Sequence, residues 1–306
     1  RSRYNRCLPT MTKPLSAPLI VGTVQWGLPY GIANQTGPPS ESELEKMLAI
    51  VAKHNLYGFD TAQSYGNSEA RLGRLLGKKA ARISTKLSPQ LSHHTHMQTA
   101  LANSLTQSLK NLNRKKIWML MLHRFDWLAD WSLGLGHFFE TEKKANRIEQ
   151  VGVSVYNAKE AIEALHHPDI DGIQMPFNAF DISGLTEGVF DLAKEKNKVV
   201  TLRSVFLQGL LTLPPKTAEK RLPGCLTACQ IWHDSAKQLG LSPDALAIKI
   251  ALQPSCPLVI GMETSQQCQN NITLMQNTPL PLSTIQSLHA TLSPHLTKQI
   301  INPSLW

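Results

Sequence analysis

FDTAQSYGNSEARLG, residues 59–73, places a carboxylate, Asp60, and a phenol, Tyr65, in one short segment. The apolar run NLYGF leads into Asp60, and a helical pattern follows Glu69, with Leu72, Leu75 and Leu76 on one face. Asp60 therefore closes a strand, and Tyr65 lies in the strand-to-helix connection. In an alternating α/β fold such connections gather at one end of the sheet, where ligands bind.

The same alternation runs outward in both directions. Upstream, PLIVGT (18–23) is a short apolar run ended by glycine and reads as a strand. The following VQWGLPYGIANQTGPPS is rich in Gly, Pro and Asn and reads as an irregular loop. Ser40, with Glu43 three residues on, has the form of a capping box. Leu44, Met47, Leu48 and Val51 then form a helical stripe, and LYGFD (56–60) is the second strand. Downstream, ARISTKL (81–87) alternates and ends near Lys86, and residues 95–112 carry a stripe of Leu101, Leu105, Leu109 and Leu112. KIWMLMLH (116–123) is nearly all apolar, as a strand covered on both faces should be, and ends at His123. Strands follow at 150–156, 170–175, 198–206 and 257–261. Helices are expected over 136–148, 159–167, 184–196, 225–239, 243–253, 264–276 and 283–292, with a Pro-rich loop, LTLPPKTAEKRLPG, before 225.

Eight strands, nearly each with its helix, in 306 residues and with no break in composition, predict an α/β protein built as one (β/α)₈ TIM barrel over residues 15–306. A doubly wound sheet is the competing architecture. It would want a G-x-G-x-x-G turn after the first strand, and GTVQWG has the wrong spacing. Residues 1–14, opening with RSRYNRCLPTM, are expected to be a disordered or extraneous extension; they are basic but carry no apolar h-region.

The net charge of +9 raises the question of nucleic acid. The basic residues are scattered, however. The densest groups, Lys78–Lys79 with Arg82, Arg114–Lys116 and Lys194–Lys198, form no stripe interleaved with aromatics, so a solvated basic surface is expected and nucleic acid is not. No apolar run approaches the ~20 residues that span a bilayer. Five irregularly spaced cysteines suit reduced thiols in a cytoplasmic protein, and no metal site is expected.

Four polar residues end consecutive units: Asp60 and Tyr65 after strand two, Lys86 at strand three, His123 at strand four. Singly, each has a plain structural role: Asp60 in a helix-entry turn, Lys86 reaching solvent, His123 capping a carbonyl. Together they fall on one rim of a barrel. A phenol, with a reference pKa near ~10, is a reluctant acid at neutral pH. A neighbouring ammonium favours the phenolate, a carboxylate keeps that ammonium charged, and an imidazole beside them can hydrogen-bond a substrate oxygen. Such a donor suits protonation of an alkoxide as hydride reaches a carbonyl carbon, and the hydride must come from a cofactor.

FDTAQSYGNSEARLG, STKL and LHRFD resemble the signature stretches of the aldo-keto reductases, and the resemblance continues through Gly22-Thr23, VGVSVYN, IQMPFNAFD, VFLQGLL and VIGMETSQQCQNNI, about residues 18–275. It implies a (β/α)₈ barrel that reduces an aldehyde or ketone, sugars among them, with NADPH or NADH. It assigns the catalytic tetrad to Asp60, Tyr65, Lys86 and His123. It implies further that Gly22, Thr23, Asp60, Ser154, Gln174, Phe206, Gln208, Gly209, Gly261 and Asn271 border the cofactor. The chain departs from the family pattern at Val155, where an Asn is usual and Asn157 is a candidate substitute. It departs again at Arg203, where an aromatic usually stacks on the nicotinamide; a guanidinium is flat enough to stack. The positions that usually hold the 2′-phosphate of NADPH are Glu263, Thr264 and Gln267. A carboxylate there repels phosphate and accepts from a free ribose hydroxyl, so NADH is expected to be used at least as well.

Trp26, Tyr30, Phe125 and Trp127 are expected to line the substrate pocket. Two other classes compete with a reductase: a regulatory protein that senses nicotinamide redox state with little turnover, and a Schiff-base aldolase using Lys86. A monomer or weak homo-oligomer acting on a small carbonyl compound is expected.

Overall fold

A computed structural model of the chain describes residues 19–88 and 97–306. The extension expected over 1–14 lies outside the described residues. Eight strands close into a parallel barrel: β1 (Leu19–Gly22), β2 (Gly58–Asp60), β3 (Arg82–Lys86), β4 (Ile117–Leu122), β5 (Ile148–Ser154), β6 (Gly172–Pro176), β7 (Val199–Arg203) and β8 (Leu258–Gly261). Each pairs with its successor in sequence, and β8 pairs with β1. The expected single (β/α)₈ barrel is therefore the fold. Among the described residues no helix is long and apolar enough to cross a membrane.

The barrel interior is filled rather than open. Met119 of β4 is fully buried, and it lies against glycines on the next two strands. A Cβ on Gly152 would come within 2.9 Å of the Met119 sulfur, and one on Gly172 within 3.0 Å of its methyl. Small residues opposite one large residue let the layer close without a void. Burying a methionine side chain in this way is worth about 1.5–3 kcal/mol.

The helices bury the stripes that their spacing predicts: Leu44, Met47 and Val51 on the helix Glu41–Lys53, Leu101, Leu105 and Leu109 on the helix Met97–Asn111. In chain order the helices are α1 (Val24–Gly27), α2 (Glu41–Lys53), α3 (Ser68–Leu76), α4 (Met97–Asn111), α5 (Leu135–Lys144), α6 (Ala158–His166), α7 (Ser183–Thr186) and α8 (Val189–Glu195). They continue with α9 (Pro215–Arg221), α10 (Leu226–Gln238), α11 (Pro243–Ala251), α12 (Ser265–Leu274), α13 (Leu282–Leu292) and α14 (Lys298–Ile301).

Four local expectations are corrected. The helix expected over 184–196 is two, α7 and α8, divided at Gly188, whose φ of 73° is left-handed. The Pro-rich loop contains α9, because Pro215 sits in the first turn, where a missing N–H costs nothing. The loop after β1 opens with the single turn α1. The Ser40–Glu43 cap is half formed: Ser40 accepts from the Glu43 amide at 3.2 Å, but the Glu43 carboxylate accepts from the Ser265 amide instead. That bond ties α2 to the start of α12.

Candidate active site

Strand length and register bring the polar residues to one rim. Gly22, Asp60, Lys86, Ser154, Arg203 and Gly261 are each the last residue of a strand, and His123 follows β4 directly. Gly22 pairs with both Asp60 and Gly261, and Ser154 with Gln174.

Asp60 and Lys86 form the buried centre. Both are almost wholly shielded from solvent, and the Lys86 Nζ donates to Asp60 Oδ2 at 2.6 Å and to the Thr61 carbonyl at 3.1 Å. The other carboxylate oxygen, Oδ1, accepts from Gln174 Nε2 at 2.8 Å across the barrel. Burial pushes the Lys86 ammonium down, but the Asp60 carboxylate and the Tyr65 phenol outweigh it, so Lys86 holds its proton more tightly than a free lysine. A chain of hydroxyls fixes the end of β2: Thr23 Oγ1 donates to the Asp60 carbonyl at 3.0 Å, and the Ser68 hydroxyl lies 2.7 Å from Thr23 Oγ1.

Tyr65 stands over this pair. The Lys86 ammonium lies 5.2 Å from its ring centroid, and the His123 ring meets it edge-on at 6.0 Å and 84°. Its loop is held from both sides. Gln63 donates to Ser108 Oγ at 2.8 Å and to the Ser104 carbonyl at 3.1 Å, and its own carbonyl oxygen accepts from the Ser88 amide at 2.6 Å. Gly66, with φ of 56°, turns the chain against Gly27. Arg71 ties α3 to the start of α2 through Glu41 at 2.7 Å and to the first loop through the carbonyls of Trp26 and Pro39. Burial, and then the charges of Lys86 and Arg203, push the His123 imidazole down to about 3, so it is neutral at physiological pH. Ser64 Oγ lies 3.4 Å from its Nδ1.

Tyr65 and Asp60 open on a cavity of about 510 Å³, within the range of small-molecule and cofactor sites. Of the residues singled out in the sequence, Gly22, Thr23, Tyr30, Gln174, Arg203, Phe206, Gln208, Gly209, Gly261, Glu263, Gln267 and Asn271 also line it. The φ values of 54° at Gln208 and 91° at Gly209 turn the chain after β7, and the Ala33 amide donates to the Gln208 carbonyl at 3.4 Å, joining the first and seventh loops. Burial raises the Glu263 carboxyl above its ordinary range, opposed by a hydrogen bond from Gln267.

Other expected residues lie elsewhere. Trp26 and Trp127 are buried in the hydrophobic core, and Phe125 packs against it, so of the four aromatics Tyr30 alone lines the cavity. Thr264 is the N-cap of α12 and forms a reciprocal capping box with Gln267, whose Oε1 accepts from the amides of Glu263 and Thr264. Asn157 is the N-cap of α6, where its Oδ1 accepts from the Glu160 amide at 2.9 Å. Ser154 is buried at the end of β5 but is not on the cavity wall.

The sequence reading missed Gln25, Asp244 and Asn270, which line the cavity. Gln25 carries a buried Oε1 without a hydrogen-bond partner among the described residues, packed where a Cβ on Gly261 would lie 2.3 Å away. Its place three residues beyond the end of β1 was the available signal. Asp244, in the first turn of α11, accepts from Asn270 Nδ2 at 2.9 Å.

Residues 18–292 match the Aldo/keto reductase family. The chain is 26% identical over 176 residues to the "Uncharacterized oxidoreductase YcsN" of Bacillus subtilis (strain 168), covering 51% of this chain. The match spans 58% of that relative's length. Among solved structures it resembles the glycerol dehydrogenase AKR11B4 of Gluconobacter oxydans, with a TM-score of 0.68 at 18% identity over 97% of this chain and 96% of that one. A family match over most of the chain, on a closed eight-stranded barrel, shows that the chain belongs to the aldo/keto reductase family of oxidoreductases.

Proposed function

We propose that the protein reduces a small aldehyde or ketone to an alcohol, with Tyr65 as the proton donor and a nicotinamide dinucleotide as the partner in the cavity. The observation that carries this reading is the Lys86–Asp60 pair buried beneath Tyr65, with a neutral His123 at the edge of its ring.

The cavity supports such a partner on its own evidence. The orphaned Gln25 Oε1 wants a donor such as a ribose hydroxyl or a carboxamide, and the walls at Asn271 and Glu263 are polar. Gln174, Gly261 and Asn271 would hold the dinucleotide, and when bound its reduced nicotinamide supplies the hydride that adds to the carbonyl carbon.

The rest is done by the chain. His123, neutral, donates an N–H to the carbonyl oxygen and polarises it without surrendering a full proton. Tyr65 gives its proton to that oxygen as negative charge develops there. The phenolate left behind is stabilised by Lys86, which Asp60 keeps charged and aimed, and Gln174 keeps Asp60 in place. Donation from a positioned acid is worth about 10²–10⁴ in rate. The alcohol leaves and a proton from water restores Tyr65.

Rapid mixing of the protein, reduced nicotinamide and a panel of aldehydes, ketones and sugars tests the reading. Repeated turnover with loss of the reduced-nicotinamide absorbance is expected. A single stoichiometric turnover that then stops would favour redox sensing instead, and no oxidation with any carbonyl would contradict the proposal.

A further inference from the structure

The charge balance of the cavity is uneven. Lys86 is matched by Asp60, and His123 is neutral. Arg203, on the cavity wall at the end of β7, forms no ion pair among the described residues. The carboxylates that share the cavity are engaged. Asp60 is bound through both oxygens, Asp244 accepts from the Ala245 amide and Asn270, and Glu263 is hydrogen-bonded by Gln267.

Arg203 is also held in one pose. Its Nη2 donates to the Val155 carbonyl at 3.1 Å, its Nη1 to Ser204 Oγ at 3.2 Å, and its guanidinium lies 4.9 Å from the Tyr156 ring centroid. Of the five N–H donors of a guanidinium, those two bonds leave three unspent. A fixed, half-buried cation with unspent donors and no counter-charge is a receptor for an anion, and a planar fork matches a carboxylate. Its charge reaches the chemistry: it depresses the His123 imidazole and opposes the rise of the Tyr30 phenol.

We propose that Arg203 selects carbonyl substrates that carry a carboxylate, seating that group beside the carbonyl that Tyr65 and His123 address. The proposal rests on the reductase reading above and narrows its substrate class. In this role Arg203 sets specificity, forming a charge-assisted pair with the part of the substrate that does not react. The phosphates of the dinucleotide are the other source of an anion for the same guanidinium, and the test separates the two.

The experiment compares an aldehyde acid such as succinic semialdehyde with its methyl ester in the intact protein and in Arg203→Gln, which keeps a donor for the Val155 carbonyl. The native protein is expected to prefer the acid over the ester by at least about tenfold in kcat/KM, and Arg203→Gln to lose at least about tenfold of that ratio. Circular dichroism reports that the variant is folded, and NADH affinity is read by fluorescence quenching; a loss of NADH affinity slows both substrates alike and leaves the acid-to-ester ratio as the readout. Arg203→Lys should fall between the two, having charge without the fork. Equal kcat/KM for acid and ester in the native protein overturns the proposal. So does a variant that weakens NADH by tenfold or more and slows both substrates in parallel, which would assign Arg203 to the cofactor's phosphates. If neither compound is reduced, the reductase reading fails. Calorimetric binding of the acid and the ester then decides the anion site, with tighter native binding of the acid, lost in Arg203→Gln, expected and its absence contradictory.

Discussion

Gly27 is packed so closely on Tyr65 that a Cβ at Gly27 would lie 1.8 Å from the Tyr65 carbonyl oxygen. No side-chain rotation relieves that approach, because the neighbouring atom is backbone. Gly27→Ala is therefore expected to push the 62–66 turn outward. Overpacking of this kind costs about 1–3 kcal/mol. A displacement of about 1 Å in a reacting group lowers turnover by about 10²-fold. Chemical denaturation and steady-state kinetics check both expectations together. Native activity at native stability would show that the loop is positioned some other way.

His123 sets an acid-side prediction. Its folded value is depressed to about 3, against about 6.5 for an unfolded histidine. As pH falls, the unfolded chain takes up this proton first. The contribution of His123 to stability is thus complete above about pH 6.5 and is lost progressively toward about pH 3. Between about pH 7 and about pH 4 the native protein should lose more stability than His123→Gln, which cannot titrate. Equal losses in the two would contradict a neutral, buried His123. The pH–rate profile should also lack an inflection near about 6.5.

The cofactor end carries a second expectation. Glu263 faces the cavity as a partly desolvated carboxyl, while Gln267 and Thr264 spend their hydrogen bonds on the start of α12. A dianionic 2′-phosphate finds no cation among these three side chains. NADH is expected to bind at least as tightly as NADPH, and Glu263→Arg to shift the ratio toward NADPH by about tenfold or more. Paired fluorescence titrations measure it, and native NADPH binding ten times tighter than NADH would refute it.

Much of this was legible in the sequence because of where strands end. Asp60 and His123 stand where an apolar run stops and Lys86 where an alternating one does, and a parallel barrel sends every such stop to one rim. The side-chain partners were less legible. Whether Gln267 faces a ligand or its own helix terminus is decided by one rotamer, and Thr264 three residues earlier pulls it into the cap. Trp26 and Trp127 look like pocket aromatics in a one-dimensional string. Their burial depends on what the first and fourth loops pack against, which no spacing encodes. Gln25 was missed because a lone glutamine in a short turn carries no pattern; its significance is the unpartnered Oε1.

The most direct test of the central claim is Tyr65→Phe, assayed for carbonyl reduction alongside NADH binding. Removing the hydroxyl deletes the proposed proton donor and leaves the ring edge-on to His123 and against the Lys86 ammonium. Turnover is expected to fall by about 10²–10⁴-fold with NADH affinity within about threefold of native. Undiminished turnover in the folded variant would contradict the assignment of Tyr65 as the acid.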